Sequence, residues 1–281
     1  MISLSGARRH GILRLRAAGI ERAEPEADLL LIEATGLSRT GLLVSLSRPI
    51  PRDQHEVYLK LLDRRCSREP LQYILGSWEF YGHPLKVRPG VLIPRQDTEI
   101  LIDIALPLIR PGDSFLDWGS GSGCITLAML SEKPGLRAVA ADANPQAVSL
   151  TWSNLAAAGL LRQCLIWHSR RPQDIPVRDG ELSMIISNPP YIPSGALEGL
   201  MEEVRAEPLL ALDGGEDGLD WYRKIFSWGA AKIRPGGWIL FEIGDGSQGE
   251  KLAEIAPRNL RFRGVFNDLT EKPRAALWLR V

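Results

Sequence analysis

A helical domain followed by an α/β domain built on a parallel sheet is the fold class that this 281-residue sequence predicts. Beyond residue 95, short apolar runs alternate with helix-like segments, as strands buried between covering helices do. A glycine-rich loop joins the first of these runs to the helix that follows. The first 75 residues read as helical.

The helical part comes first. Around Glu24–Ala34, apolar Ala27, Leu30, Leu31 and Ala34 recur at i, i+3, i+4 and i+7, with Pro25 suited to a first turn and Gly36 to a stop. A second helix is expected to begin near Asp53, with Glu56 three residues on in a capping-box-like arrangement, and to end in the basic cluster of Arg64, Arg65 and Arg68. That cluster reads either as a solvated helix end or as a docking surface for an acidic partner. From Tyr73 to Arg95, short aromatic and β-branched runs are punctuated by Gly76, Gly82, Pro84, Pro89, Gly90 and Pro94, which suits a hairpin. The sequence therefore divides into a helical domain over 1–75, a hairpin linker over 76–95 and a second domain over 96–281. Within the last, Ser114–Trp118, Leu136–Ala141, Met184–Ser187 and Trp238–Ile243 read as strands. Ile125–Leu130, Pro145–Ala158 and Leu219–Ala231 read as helices.

Composition narrows the function classes. The chain is 44% hydrophobic and 24% charged, and 34 basic residues balance 34 acidic ones. Such a balance argues against binding nucleic acid through bulk phosphate contacts. The split is uneven, however, with 15 basic and 10 acidic residues up to residue 95 and 19 and 24 after it. A mildly basic helical part beside a mildly acidic α/β part could orient a folded protein partner. No apolar run approaches the roughly 18 residues of a membrane span, and Met1–Arg9 has no apolar stretch suited to a secretory signal, so a cytoplasmic protein is expected. Cys66, Cys124 and Cys164 are odd in number and widely spaced, so they are expected to be small buried hydrophobes, with no metal site.

Two segments carry chemistry. In Asp117-Trp118-Gly119-Ser120-Gly121-Ser122-Gly123, alternate glycines let a strand-to-helix turn tighten and its backbone approach a ligand. The pattern is GxGxG with an acidic residue two places ahead, unlike the dinucleotide GxGxxG. Asp142 follows at the end of the next strand, placed to accept hydrogen bonds from both hydroxyls of a ribose. Either feature alone could be structural, a turn and a helix cap; together they favour a nucleoside-containing cofactor. Here the sequence resembles class I S-adenosylmethionine-dependent methyltransferases, a Rossmann-like fold with a seven-stranded sheet, and Asp142-Ala143-Asn144-Pro145 is similar to their second motif.

The other segment is Asn188-Pro189-Pro190-Tyr191, directly after a strand. An amide or ring NH2 is a poor nucleophile because its lone pair is delocalised. The Asn188 side-chain oxygen and the Pro189 carbonyl can each accept one of its N–H groups and aim the lone pair, while proline fixes φ and removes competing donors. Tyr191 offers a flat face to a planar acceptor. The tetrapeptide resembles that of amino methyltransferases acting on adenine, on guanine or on glutamine, and alone it does not choose among them.

The remaining motifs choose. Glu69–Gly76, Glu79–Gly82, Val91–Arg95, Asp97-Thr98-Glu99 and Glu207–Leu219 resemble the HemK/PrmC family, over a span of about 21–274. The resemblance implies transfer of a methyl group from S-adenosylmethionine to the glutamine amide nitrogen in the Gly-Gly-Gln motif of peptide chain release factors, with the helical domain recognising the substrate. It implies no direct nucleic-acid substrate and no membrane partner; the alternatives are the same chemistry on adenine or guanine in nucleic acid, or on a glutamine of a ribosomal protein. By position, Gly119, Ser120, Gly121, Ser122, Gly123 and Asp142 would bind the cofactor, with Arg171 placed near the adenine. Asn188 would stand between donor and acceptor, and Pro189, Pro190 and Tyr191 would complete the glutamine site.

Three departures from the family pattern stand out: Gln96 where a Pro is usual, Trp167–Pro172 where an acidic-aromatic pair is usual, and Gln248 one residue late after Glu242-Ile243-Gly244. His168 reads as a strand-end surface residue, His10, His55 and His83 show no metal-ligand spacing, and Trp118 and Trp238 read as core.

Overall fold

The computed structural model describes residues 2–281 as two compact units, one made of the residues up to Gly76 with Met201–Ala206, the other of Ser77–Leu200 with Glu207–Val281. The helices are α1 (Leu4–Ala17), α2 (Ala23–Thr35), α3 (Arg39–Val44), α4 (Arg52–Cys66), α5 (Leu71–Leu75), α6 (Ile100–Ala105), α7 (Cys124–Glu132), α8 (Pro145–Ala157), α9 (Glu202–Arg205), α10 (Asp220–Lys232) and α11 (Gly246–Ile255). The strands are β1 (Ser77–Phe80), β2 (His83–Lys86), β3 (Ser114–Trp118), β4 (Arg137–Asp142), β5 (Cys164–His168), β6 (Leu182–Ser187), β7 (Ile233–Glu242), β8 (Leu260–Asn267) and β9 (Pro273–Arg280).

In the first unit, α1, α2 and α4 bury Leu15, Leu30, Leu31, Tyr58 and Leu62 against one another. Gly36 ends α2 in the left-handed region at φ 67° and returns its N–H to the Ile32 carbonyl, where a Cβ would be strained. The expected capping box of α4 does not form. The helix starts at Arg52, behind Pro51, with no side-chain cap. Asp53 falls inside the first turn, where its negative charge interacts favourably with the positive end of the helix dipole, and Glu56 accepts from Arg52 instead.

The basic cluster at the end of α4 is engaged in ion pairs, with Arg65 buried and Arg64 still exposed. Arg65 is buried, donating to Glu26 at 2.6 Å and to Glu203 of α9 at 3.0 Å. Arg68 pairs with Glu203 at 2.9 Å, and Arg64 with Glu69 at 2.5 Å. Its loss would strand the Glu26 carboxylate and leave Glu203 with Arg68 alone. Arg65→Met is therefore expected to cost about 3 kcal/mol or more of stability, as broken buried pairs do. Urea denaturation measures this, and a loss below about 1 kcal/mol would give the pair only the value of a surface one.

The second unit opens on the β1–β2 hairpin, whose turn residues Tyr81 and Gly82 both have positive φ, 51° and 74°, the twist that two-residue hairpins require. Its seven-stranded sheet runs in the order β5-β4-β3-β6-β7-β9-β8. The first five strands are parallel; β9 is antiparallel to both β7 and β8. Along the strands the pleat sends Phe115, Met184, Ile186 and Leu240 to one core and Leu116, Ile185, Ile239 and Phe241 to the other. Being covered on both faces, β6 is buried at all six positions. Because the chain steps outward from β3 to β4 and β5 and then returns to lay β6 on the other side of β3, the connections diverge between β3 and β6. Ligands of open α/β sheets bind at such a switch point, outside the carboxyl ends of the strands.

Each expected strand is present, but β7 begins at Ile233, ahead of the expected Trp238, with a register shift against β6. The cysteines are half-buried where full burial was expected. Burial nonetheless pushes the Cys124 and Cys164 thiols up to about 12, which leaves both unreactive. Among the described residues no helix is long and apolar enough to cross a membrane, and no side-chain cluster could hold a metal ion.

Candidate active site

The carboxyl ends of β3, β4 and β6 open onto a cleft lined among others by Trp118, Gly119, Gly121, Asp142, Asn188 and Pro190. The loop after β3 makes one wall. Gly119, Gly121 and Gly123 have φ of 77°, 57° and 80°, a conformation that side-chain-bearing residues rarely adopt. The Gly119 and Ser120 N–H groups bond the Ala141 carbonyl at 2.8 and 3.1 Å, which ties the loop to the end of β4. At Gly119 and Gly121 an added Cβ would meet nothing closer than 4.0 Å, so these glycines leave open space on the cleft side. At Gly123 it would meet Thr151 of α8 at 2.9 Å, so that glycine serves close packing of the loop.

Asp142 ends β4. Its two oxygens accept the Gly121 and Asn144 N–H groups, each at 2.8 Å. Burial raises its carboxyl above the usual range, while these N–H groups oppose the shift by stabilising the anion. Two N–H bonds use two of about four lone-pair positions, so the carboxylate retains capacity for two further donors. Asp117 lies behind the loop and accepts from the Thr126 N–H at 3.2 Å and hydroxyl at 2.6 Å, fastening α7 to β3. Burial pushes its carboxyl up to about 7.

Across the cleft, β6 delivers Asn188-Pro189-Pro190-Tyr191. Ser187, the last residue of β6, donates to the Trp118 carbonyl at 2.5 Å and so joins this loop to the glycine loop. Gln248, at the start of α11, donates to the Tyr191 and Gly218 carbonyls, each at 3.2 Å, and accepts the Gly244 N–H at 2.8 Å. The Gly-rich stretch of 213–218 lies against the tetrapeptide: Gly214 N–H bonds the Ile192 carbonyl, and a Cβ on Gly218 would stand 2.5 Å from the Tyr191 carbonyl. Tyr191 hydroxyl donates to Glu242 at 3.3 Å, and Asn188 Nδ2 donates to Thr98 at 3.2 Å.

The structure thus brings Gly119, Gly121, Asp142, Asn188, Pro189 and Pro190 to one cleft. Ser120, Ser122 and Gly123 stand behind that wall: Ser120 hydroxyl contacts Thr151 at 3.2 Å, and the Ser122 carbonyl accepts from Asn154 at 2.8 Å. Tyr191 is not among the residues lining the cleft, and its hydroxyl is turned to Glu242. Arg171 is not brought to the cleft. It is exposed on the segment after β5 and pairs with Asp174 at 2.9 Å. Trp118 both packs in the core, edge-on to Trp228, and lines the cleft. His168 is exposed at the end of β5, with its ring 3.1 Å from the Ala143 carbonyl. Residue-type reasoning missed Thr98 and Glu242. Their only signal was membership of the quoted motifs, because nothing local to either suggests that they meet.

Comparison with known proteins agrees with this geometry. Residues 6–76 match the family model of the PrmC N-terminal domain, and residues 96–205 match that of the methyltransferase small domain. A release factor glutamine methyltransferase of Geobacter sulfurreducens is 42% identical over 83% of this chain and 81% of its own length. One from Moorella thermoacetica is 38% identical over 96% of this chain and 95% of its own. A methyltransferase structure from Pyrococcus furiosus, 16% identical, superposes with a TM-score of 0.52 over 71% of this chain and 89% of its own, a likeness of fold. With relatives this similar along nearly its whole length, the chain belongs to the release factor glutamine methyltransferase family.

Proposed function

We infer that this protein is a cytoplasmic enzyme that transfers a methyl group from S-adenosylmethionine to the side-chain amide nitrogen of the glutamine in the Gly-Gly-Gln motif of release factors. The observation that carries the reading is the placement of Asn188, which lines the same cleft as the glycine loop and Asp142. The residues fit the cofactor. Gly119 and Gly121 leave a cradle free of side chains, and Asp142 keeps acceptor capacity at the strand end where a ribose diol would lie. When bound, S-adenosylmethionine supplies a methyl group on a positively charged sulfur, activated without any acid or base.

The chain's own residues supply position. Asn188 Oδ1 and the Pro189 carbonyl accept the two N–H groups of the glutamine amide, which holds the nitrogen in place and turns its lone pair toward the donor. Among the described side chains that line the cleft, Asp142 alone titrates, and its role is taken by the ribose. A general base is not needed, because the amide proton becomes acidic only as the N–C bond forms. Catalysis then rests mainly on orientation, which can be worth about 7 kcal/mol or more. The helical unit serves in this reading to recognise the release factor, and nucleic acid is not methylated.

The test is to incubate the enzyme with labelled cofactor and, separately, release factor, ribosomal protein, ribosomal RNA and DNA. Label confined to the release factor, on the Gly-Gly-Gln peptide by mass spectrometry, is the expected result. Label in nucleic acid with unlabelled release factor would overturn the reading.

A further inference from the structure

We propose that Thr98 and Glu242 are positioning residues that set which end of the Asn188 amide faces the acceptor, a role that rests on the methyl-transfer reading above. Glu242 ends β7 and is buried, as is Thr98 in the short 3-10 turn Gln96–Glu99. An ionised carboxylate can only accept hydrogen bonds. Glu242 Oε2 takes the Thr98 hydroxyl proton at 2.5 Å, and Oε1 takes that of Tyr191 at 3.3 Å. Having given away its one proton, Thr98 Oγ1 presents only lone pairs on its other side. The group opposite must therefore be a donor, and it is Asn188 Nδ2, at 3.2 Å.

The consequence is polarity. An asparagine amide is nearly symmetric in shape, so packing alone scarcely distinguishes its two ends. With Nδ2 committed to Thr98, Oδ1 is the end left for the substrate. Turned the other way, the side chain would present an NH2 to an NH2 and could not hold the acceptor nitrogen. Three buried or half-buried groups from separate parts of the chain thus form a one-way relay, Asn188 to Thr98 to Glu242, that pre-orients the acceptor site. Glu242 is also faced by Arg274, whose charge favours its anion, and by Asp97, which opposes it, while Tyr222 hydroxyl binds its backbone carbonyl. Burial raises the Glu242 carboxyl to about 7, so assays run well above neutrality keep it ionised.

The test compares Thr98→Val, which keeps size and β-branching but has no hydroxyl, with Thr98→Ser, which keeps the hydroxyl and loses a methyl. Both are assayed for methylation of a release factor, with cofactor affinity by calorimetry and folding by thermal melting. The relay predicts that Thr98→Val lowers kcat about a hundredfold, the scale of misplacing a reacting group by about an ångström, with cofactor affinity unchanged. Thr98→Ser should stay within about threefold of the parent. A packing role at this buried site predicts the reverse order, since serine leaves a void and valine does not; that order, or equal kcat in all three, would overturn the relay. Should Thr98→Val melt early, Glu242→Gln serves in its place. Its NH2 can donate to Thr98 and reverse the relay, so a similar loss in kcat is expected, rescued by neither cofactor nor substrate excess, and unchanged kcat would overturn the proposal. If the parent itself leaves release factor unmethylated, the functional reading fails and the relay falls with it; if the parent is active and the valine variant matches it, the relay alone fails.

Discussion

Asn188→Ala is expected to lower kcat by about a hundredfold to a thousandfold while cofactor affinity stays close to that of the parent. The magnitude follows from comparison with other sites: removing one preoriented hydrogen-bonding group from a reacting centre costs about that much. Asn188 meets the conditions for so large an effect. It lies directly after β6, a strand buried at every position, and its loop is tied to Trp118 through Ser187 and, through Tyr191, to Gln248. Alanine removes the side-chain acceptor but leaves the Pro189 carbonyl and the glycine loop in place. Single-turnover methyl transfer to a release factor gives the rate, and calorimetry with the cofactor gives the affinity. A variant that turned over at the parent's rate would remove Asn188 from the reaction and with it the reading of the cleft.

Asp142→Ala should show the complementary pattern, with cofactor affinity about a hundredfold weaker and the rate at saturating cofactor much less affected. Hydrogen bonds to a charged acceptor contribute about 1.5–3 kcal/mol each, so losing a pair to ribose accounts for two powers of ten or more. Part of the loss comes through the protein, because the same carboxylate holds the Gly121 N–H, and the loop that carries Gly121 forms the opposite wall. The sign of a pH effect follows as well. Burial raises the Asp142 carboxyl, and a protonated carboxyl is the poorer acceptor, so affinity should fall as pH drops through that raised value. Unchanged affinity in the variant would contradict the ribose assignment.

Where sequence reasoning succeeded, the information was local. The glycine loop could be read because strand, turn and helix follow one another directly along the chain and because positive φ selects glycine at three alternate positions. The Pro25 start and Gly36 stop of α2 rest on backbone geometry of single residues. Where reasoning failed, a local pattern had a competing solution. Asp53 and Glu56 have capping-box spacing, but Pro51 already set the backbone entering α4, and Glu56 found Arg52 one turn away. Arg171 was placed by resemblance across a segment that departs from the family pattern; the chain turned it outward to Asp174.

The balance of charge shows the same division. Composition correctly describes a basic amino-terminal part, yet three of its arginines at the end of α4 are committed to Glu26, Glu69 and Glu203, the last from a segment well over a hundred residues away. Counting charge identifies an excess, and only contacts show which charges are free.

By itself, then, the sequence determined the fold class, the glycine loop after β3, the strand-end place of Asp142 and the loop that carries Asn188–Tyr191, because each is a short run whose residue types are dictated largely by backbone conformation. The tertiary structure alone decided how those pieces act as one site. Thr98 meets Asn188 across 90 residues and Glu242 across 144. Hydrogen-bond direction is a property of such a chain of contacts and of no single member, and a threonine and a glutamate acquire their roles only when folding removes water and leaves them each other as partners.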